Sequence, residues 1–298
     1  MYPVRGKDFP NSADLQKANR TSKGMYLAVD VGATKTELAL FSKDGQVTYR
    51  QKIKTNHNYD HFLKSLQQIL QQNEFRSAKI SHCCGAFPGW LNLKSGVAIA
   101  FGVLPWRNVT VRQDLQTIMP GVKVLIQNDA KLAALSEANL SHKKYRKILY
   151  ITLSTGIGGG VIIDGVIDPD FETFEPGQME FDFEGKNQKW EDIASGKALV
   201  SRYGKRAEDL EDPETWKEYA HLVAMGFQEL LPTIQPDLII IGGGAGAHLE
   251  KFQKFLVAEL EKINNPLVPL PPIIKAKRPE EAVIYGCYEY IRQLRRPG

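Results

Sequence analysis

Short apolar runs, each ending at a turn rich in glycine, are the clearest pattern in this chain. Three of them cover residues 26–31, 148–153 and 237–241. Apolar runs of this length bounded by glycine are typical of buried strands. The sequence therefore predicts three strands whose carboxyl ends open onto glycine turns.

The first two of these strands begin the same larger pattern. A second strand, an Asp-Gly pair and a third strand follow each of the two turns, and the pairs are Asp44-Gly45 and Asp164-Gly165. Asp-Gly between apolar runs is a strong signal for a hairpin. The repeat predicts a duplicated α/β domain whose two phosphate-binding turns face each other.

Helical periodicity and further apolar runs fill most of the remaining chain. Helices are predicted over 60–72, 130–140, 191–204, 213–232, 247–263 and 279–294, and further strands over 79–86, 122–127 and 273–276. Strands that alternate with helices, combined with hairpins, predict mixed sheets in an α/β fold. Residues 1–24 are polar and are predicted to form a flexible leader. Residues 90–120 show no regular pattern. Trp90 and Trp106 in that segment are expected to lie in the core.

Composition excludes several classes of protein. The net charge is +4, of which the first 24 residues carry +3, so the remainder is nearly neutral and unlike a nucleic-acid-binding surface. No apolar run reaches 18 residues, which argues against a membrane span or a signal peptide. The three cysteines form neither a disulfide framework nor a zinc-binding spacing, and they fit a reducing cytoplasm.

The turn after the first strand combines an acid, glycine and a positive charge. Asp30 lies at the carboxyl end of the strand, Gly32 permits a tight turn with exposed amides, and Thr34 and Lys35 follow. Amides and lysine suit a phosphate chain, and a carboxylate suits its magnesium ion. A plain hairpin with an aspartate at its bend is the alternative. Three glycine turns at strand ends favour a nucleotide site, whereas 242–246 lacks the Rossmann spacing.

Asp129 is the candidate catalytic residue. It stands where a buried strand meets a helix, and Asn128 precedes it. In that position it is either a helix N-cap or a general base that takes a proton from a substrate hydroxyl. Asn128 is suited to holding a second hydroxyl.

Further polar side chains follow the second glycine turn. Glu175, Gln178 and Glu191 offer acceptors and a donor for the several hydroxyls of a sugar. Each of them taken alone is more typical of a solvated loop, and only the group favours a sugar site.

These motifs together resemble a known family. The segments concerned are Asp30-x-Gly-x-Thr-Lys, Pro88-Gly89, Leu104-Pro-Trp106, Asn128-Asp-Ala, Ser154-Thr-Gly-Ile-Gly-Gly-Gly160, Glu175-x-Gly, Glu191-x-x-Ala-Ser-Gly196 and Ile241-Gly-Gly-Gly244. Their order over roughly residues 25–290 resembles that of the ROK family (repressor, open reading frame, kinase). This family belongs to the sugar kinase, actin and Hsp70 superfamily. The resemblance implies two ribonuclease-H-like (actin-like ATPase) domains flanking a cleft. It implies an N-terminal domain of 25–127 plus 279–298 and a larger C-terminal domain of 128–278.

The resemblance also implies a role for each matching residue. Asp129 looks like the catalytic base, and the sugar contacts would be Asn128, Glu175, Gln178, Glu191, Pro88 and Gly89. Asp30 would face magnesium beside the turn at Gly32. The phosphates would meet Thr34, Lys35, Thr155 and Gly156, and the adenosine would meet Gly243 and Gly244. Phosphoryl transfer needs mainly positioning and charge neutralisation, which these groups supply.

Three departures from the family pattern bear on substrate and cofactor. Gln178 stands where many members have a histidine, and residues 184–189 lack the cysteine cluster, so we predict no structural zinc. Gly102 and Val103 replace an asparagine that is common in the family. The zinc-less form with Trp190 and Glu191 resembles the polyphosphate-using glucokinases of the family.

The leading hypothesis is transfer of the γ-phosphoryl of ATP to the 6-hydroxyl of a hexose, with glucose as first choice and Mg²⁺ as cofactor. The alternatives are a polyphosphate-dependent glucokinase, an N-acetyl amino-sugar or fructose kinase, and a non-catalytic sugar-sensing regulator. No nucleic-acid or membrane partner is expected. Homodimers occur among such relatives, although no surface pattern in this sequence indicates one.

Overall fold

The computed structural model describes residues 24–141, 143–262 and 269–293. The described chain divides into an N-terminal unit (24–128 and 290–293) and a C-terminal unit (129–289). Most of the predicted leader, part of the connector near residue 266 and the predicted helix end at residue 294 lie outside the described residues. No helix in the described part of the chain has the length and apolar character needed to cross a lipid bilayer.

A five-stranded mixed sheet forms the centre of the N-terminal unit. Its strands are β1 (Met25–Val31), β2 (Lys35–Phe41), β3 (Val47–Lys54), β4 (Ile80–Phe87) and β8 (Lys123–Asn128). The order is β3-β2-β1-β4-β8, with β1, β4 and β8 parallel and the hairpin strands antiparallel. Because β1, β4 and β8 are parallel, Asp30, Phe87 and Asn128 all lie at the same edge of this sheet.

Helices cover this sheet with their apolar faces. They are α1 (Tyr59–Leu70), α2 (Asn73–Ser77) and α3 (Val111–Ile118). Asn58 caps α1 by accepting a hydrogen bond from the His61 amide, which satisfies one of the free donors at the helix start. Phe62 and Leu66, one turn apart on α1, are both buried in the core of this unit.

The segment from residue 90 to 120 is more regular than the sequence suggests. It contains helix α3 and a three-stranded sheet formed by β5 (Trp90–Asn92), β6 (Val97–Ala100) and β7 (Arg107–Val109). Strands of three or four residues are too short to leave a periodic signal, which is why the pattern was missed. Trp106 is buried as expected and donates its indole N–H to the His57 carbonyl at 2.8 Å, but the expectation for Trp90 is wrong, because its side chain is 58% exposed.

The C-terminal unit contains a second five-stranded sheet with the same order of strands. Its members are β9 (Lys147–Leu153), β10 (Ile157–Ile163), β11 (Val166–Ile167), β14 (Leu238–Gly242) and β15 (Ile273–Lys275). The order is β11-β10-β9-β14-β15, with the hairpin strands antiparallel and β9, β14 and β15 parallel. The α/β fold with mixed sheets that the sequence predicts is therefore confirmed.

Most of the helices belong to this second unit. They are α4 (Asp129–Asn139), α5 (Trp190–Ala194), α6 (Gly196–Tyr203), α7 (Pro213–Ile234), α8 (Gly243–Gly246), α9 (Leu249–Glu261) and α10 (Ala282–Gln293), with the division between the units falling inside α10. Trp190 is fully buried against Gly226 of α7, where any side chain would overlap the indole ring. This contact fixes the position of Trp190, the first residue of α5. It thereby also positions the next residue, Glu191.

A hairpin occupies the segment that lacks the cysteine cluster of the family pattern. It consists of β12 (Glu180–Phe183) and β13 (Lys186–Lys189), joined by Glu184 and Gly185, both of which have positive φ angles. Phe181 and Phe183 pack on the core of the C-terminal unit. Cross-strand pairing and aromatic packing therefore hold this segment together without any cysteine.

Candidate active site

Glycine residues in β10 bring helix α4 close to the second sheet. A Cβ on Gly158 would lie 2.8 Å from Cβ of Ala130, and a Cβ on Gly160 would lie 2.7 Å from Cβ of Ala134. Both distances are shorter than real carbon contacts, so only glycine permits this packing. The glycine run 154–160 thus has two roles: residues 154–156 form the turn, while Gly158 and Gly160 seat the helix.

Asp129 is the first residue of α4 and is partly exposed. One carboxylate oxygen, Oδ1, accepts the Ala130 N–H at 2.7 Å, so the side chain also satisfies the helix start. Burial raises the pKa of the Asp129 carboxyl above its usual range, and the Ala130 hydrogen bond and the charge of Lys131 oppose that rise. A carboxyl with a raised pKa is better suited to accepting a proton near neutral pH than an ordinary aspartate.

A buried lysine links this helix to the loop that carries Glu175. Lys131 is 1% exposed, and its Nζ donates to the Phe174 carbonyl at 3.1 Å and lies 3.4 Å from Oε1 of Glu175. Burial raises the pKa of the Glu175 carboxyl, Lys131 lowers it, and the charges of Asp129 and Glu191 raise it. Glu175 is therefore close enough to both Asp129 and Glu191 to feel their charges.

Glu191 connects these acids to the glycine turn after β9. Its Oε1 accepts a hydrogen bond from Nε2 of Gln178 at 2.6 Å. Its Oε2 lies 2.7 Å from the point where a Cβ on Gly156 would stand, so a side chain there would displace the Glu191 carboxylate. Within the C-terminal unit the structure thus brings together Asp129, Glu175, Gln178, Glu191 and Gly156.

A cavity of about 700 Å³ is lined in part by Ser154 and Thr155 of the same turn. Thr155 lies at one part of its wall and Gly244 at another, so two predicted nucleotide contacts share one cavity. Gly243 is the residue before Gly244 and has a φ of +83°, with no room for a side chain beside the Leu153 carbonyl. The remaining lining residues are Gly196, Lys197, Val200, Ser201, Arg206, Ala207, Glu208, Ala245 and His248.

The turn after β1 contains the other predicted phosphate contacts. Gly32 donates its N–H to the Lys35 carbonyl at 3.0 Å, which closes an antiparallel hairpin turn. Thr34 and Lys35 are exposed, and Asp30 is partly exposed at the end of β1. The backbone therefore forms the plain hairpin that was the alternative. Thr34 is accessible to a phosphate group, and Asp30 is partly accessible to a magnesium ion.

Three further predicted residues meet at the edge of the N-terminal sheet. Asn128 ends β8 beside β4, and its Nδ2 donates to the Gly89 carbonyl at 3.1 Å. Gly89 has a φ of +131°, and a Cβ there would overlap the Ala100 carbonyl. Pro88 and Gly89 therefore form a rigid turn that orients the Asn128 amide.

Some residues of the site belong to no motif that the sequence shows. Lys131 stands within an alanine-rich helix, and a charge in such an apolar segment is the signal that could have revealed it. Lys197, Arg206 and His248 line the cavity, but they come from three separate segments with no motif in common. Among the described residues, no group of three or more His, Cys, Asp or Glu side chains is arranged to hold a metal ion.

Comparison with known proteins agrees with this architecture. The family model described as ROK family matches residues 26–293. An N-acetyl-D-glucosamine kinase from Haemophilus influenzae (strain 86-028NP) is 24% identical over 303 residues, covering 88% of this chain and 98% of the relative.

Two solved structures illustrate the range of similar folds. A ROK family glucokinase from Streptomyces griseus, in complex with glucose and AMPPNP, has a TM-score of 0.76 at 21% identity and covers 91% of this chain and 100% of its own. A ROK family transcriptional regulator, a homolog of the E. coli MLC protein, has a TM-score of 0.79 at 16% identity, covering 91% of this chain and 78% of its own.

Two mixed five-stranded sheets of the same order, each with a glycine turn after its first strand, define an actin-like ATPase fold. Within that class the chain belongs to the ROK family.

Proposed function

We propose that this protein is a sugar kinase that transfers the γ-phosphoryl of ATP to the 6-hydroxyl of a hexose. The observation that carries the proposal is the group formed by Asp129, Glu175 and Glu191 beside the glycine turn at Gly156. A sugar needs acceptors for its hydroxyls, and phosphoryl transfer needs a base and an anion-binding turn. One unit supplies all of these groups in one place.

Asp129 is the general base in this proposal. Its carboxylate takes the proton of the 6-hydroxyl while the hydroxyl oxygen forms a bond to the γ-phosphorus. The bond between that phosphorus and the oxygen of the leaving ADP breaks at the same time. The products are a hexose 6-phosphate, ADP and a proton held first by Asp129. The raised pKa of this carboxyl favours that proton transfer near neutral pH.

The remaining acids and amides hold the sugar. Glu175 and Glu191 accept hydrogen bonds from ring hydroxyls, and Gln178 keeps the Glu191 carboxylate oriented through their 2.6 Å hydrogen bond. Asn128, held by the Gly89 carbonyl, provides a donor and an acceptor next to the base in sequence. Fixing a hydroxyl next to the base lowers the entropic part of the reaction barrier.

ATP is the proposed phosphoryl donor. The cavity of about 700 Å³ has a size that suits a nucleotide, with Thr155 near the phosphates and Gly244 near the adenosine. Its wall also carries Lys197, a cation that suits a phosphate chain. The carboxylate of Asp30 is a hard oxygen donor at a strand end, which fits Mg²⁺, and that ion would neutralise phosphate charge.

Two acceptor sugars have specific support. The motif resemblance favours glucose, and the similarity to an N-acetyl-D-glucosamine kinase over nearly the whole chain favours N-acetylglucosamine. The two sugars differ at the 2-position, and a site with fixed polar groups discriminates strongly at such a position.

The test is a coupled assay of the purified protein with glucose, N-acetylglucosamine, N-acetylmannosamine and fructose, each with ATP and with polyphosphate. We expect turnover with ATP and one of the first two sugars, and formation of the 6-phosphate by phosphorus NMR. Turnover with polyphosphate alone would overturn the donor assignment. Tight sugar binding by calorimetry without any turnover would instead support a sugar-sensing regulator.

A further inference from the structure

Lys131 is a buried cation of the C-terminal unit. It is 1% exposed, whereas lysine is almost never fully buried unless it is paired. Removing an ammonium group from water costs several kcal/mol, and a buried ion pair is often no more stable than an apolar pair of the same size. Fold stability alone therefore gives little reason for a lysine at this position.

The position of Lys131 ties two parts of the candidate site together. It lies two residues after Asp129 on α4, and Cα of Lys131 stands 3.4 Å from where a Cβ on Gly160 would be, so the helix is seated on β10 at this point. Its Nζ reaches the loop through the Phe174 carbonyl at 3.1 Å and Oε1 of Glu175 at 3.4 Å. A single side chain thus joins the helix of the base to the loop of the sugar-binding acid.

The charges around Lys131 explain what this link does. Asp129, Glu175 and Glu191 place carboxylates near one another, and Lys131 is the cation that lowers the pKa of both Asp129 and Glu175. Tyr150 on β9 also faces Asp129, but burial raises the pKa of its phenol, which keeps it neutral. The charge of Glu137, also on α4, raises the pKa of the Tyr150 phenol in the same direction as that of Asp129.

We propose that Lys131 is a positioning residue of the sugar site, which holds Glu175 as an oriented acceptor and sets the charge beside Asp129. This inference rests on the proposed sugar kinase function. The ammonium fixes one oxygen of Glu175, so the other oxygen remains directed to the substrate. Without it, the buried acids would take up a proton at a higher pH, and a protonated Glu175 or Asp129 would no longer accept a hydrogen bond or a proton.

The direct test is Lys131→Met, which keeps the length of the side chain and removes its charge. We expect the acid limb of the pH profile of kcat/KM to move to higher pH by about one unit. At pH 6 the KM for the sugar should rise by about tenfold, because a charged hydrogen bond is lost, while the KM for ATP stays within about twofold.

Lys147→Met is the matched control. Lys147 lies at the start of β9, at the opposite end of the strand from the glycine turn, and its Nζ donates to the Ile234 carbonyl at 2.9 Å. This variant also loses a lysine-to-carbonyl hydrogen bond within the C-terminal unit. It should show the acid limb and both KM values of the wild type.

An unchanged acid limb in a folded Lys131→Met protein would overturn the proposal, and so would an equal rise in both KM values. Should that variant not fold, Glu175→Gln provides the second measurement. It removes the negative neighbour and leaves Lys131 facing Asp129, so the acid limb should move to lower pH. An unchanged limb in Glu175→Gln would equally contradict the proposed role.

A measurement without turnover separates this inference from the proposed function. In protein with carboxyl-labelled glutamate, NMR titration should show a higher pKa for Glu175 in Lys131→Met than in the wild type. If the wild type transfers no phosphoryl group while this shift is seen, the kinase assignment fails and the role of Lys131 stands. If the wild type is active but the pKa of Glu175 is the same in Lys131→Met, the kinase assignment stands and the proposed role of Lys131 fails.

Discussion

The glycine turns after β1 and β9 follow strands that occupy the same place in two similar sheets. In each unit the strand before the turn is the central strand, paired antiparallel with the next strand and parallel with a later one. The strands after the turns differ. Counted from the turn, β2 carries the buried side chains Glu37, Leu38 and Ala39, whereas the corresponding part of β10 is Gly158, Gly159 and Gly160.

This difference shows how one topology serves two purposes. Side chains on β2 fill the sheet face with core atoms, so the first turn offers only its own exposed groups, Thr34 and Lys35. The glycines on β10 instead make room for α4 and bring Asp129 to the second turn. Glycine in place of larger residues on a strand therefore lets a helix pack where a side chain would otherwise stand.

The largest expected effect concerns the residue that this close packing positions. Asp129→Asn keeps the shape of the side chain and its bond to Ala130 but removes the general base. We expect kcat to fall by at least about a hundredfold, measured in the coupled assay. Asp164→Asn, which changes an exposed acid of the hairpin after β10, should retain wild-type turnover. Retained activity in Asp129→Asn would contradict the assignment of the base.

The next test disturbs the close packing itself. Gly160→Ala adds a Cβ that would stand 2.7 Å from Cβ of Ala134, so α4 must shift. We expect a loss of about 1–3 kcal/mol in the free energy of unfolding, measured with urea, together with a lower kcat. Gly102→Ala in the N-terminal unit, where nothing lies within 4 Å of the added Cβ, should be neutral in stability. Equal stability of the two variants would show that glycine is not needed to seat the helix.

A smaller effect on the KM for ATP is expected when each of the two turns is tested as a phosphate site. Thr34→Val and Thr155→Val each remove one exposed hydroxyl and keep the shape of the side chain. We expect each change to raise the KM for ATP by about fivefold, the size of one hydrogen bond, without changing the KM for the sugar. A change in only one variant would mean that only one turn contacts the phosphates.

The smallest expected effect is on stability as a function of pH. Burial raises the pKa of Asp129 above 3.8, so ionisation of this group destabilises the folded protein. Its contribution to stability is present below the unfolded pKa and is lost as the pH rises through the folded pKa. Asp129→Asn should therefore melt about 2 °C higher than the wild type at pH 7, with the difference vanishing near pH 4. A lower melting temperature at pH 7 would show that the charge is stabilising.

The parts of the fold with strong local signals could be predicted from the sequence. Apolar runs ending at glycine located β1, β9 and β14 to within about a residue, and the Asp-Gly pairs located both hairpins. The three-stranded sheet that begins at Trp90 was not predicted, because its strands are too short to show alternation. The hairpin at Glu184 and Gly185 was missed for the same reason, although its glycine was a signal.

The candidate site was predictable only where a motif marks it. Asp129 and Glu175 stand in recognisable motifs. The burial of Lys131, in contrast, is a property of the folded helix that no motif indicates. The hydrogen bond between Gln178 and Glu191 spans a hairpin, and no local pattern reports such a pairing. The residues that line the cavity, such as Arg206 and His248, are likewise brought together only by the chain's return past the turn.

By itself the sequence determined the kinds and order of the elements, the duplicated pattern and the family resemblance, because these depend on periodicity and on residues near one another along the chain. Only the tertiary structure decided that Gly158 and Gly160 seat a helix, and that a buried lysine pairs with Glu175. The physical reason is that packing distances and burial, which set these roles, depend on groups far apart in the chain and brought within a few ångströms by folding.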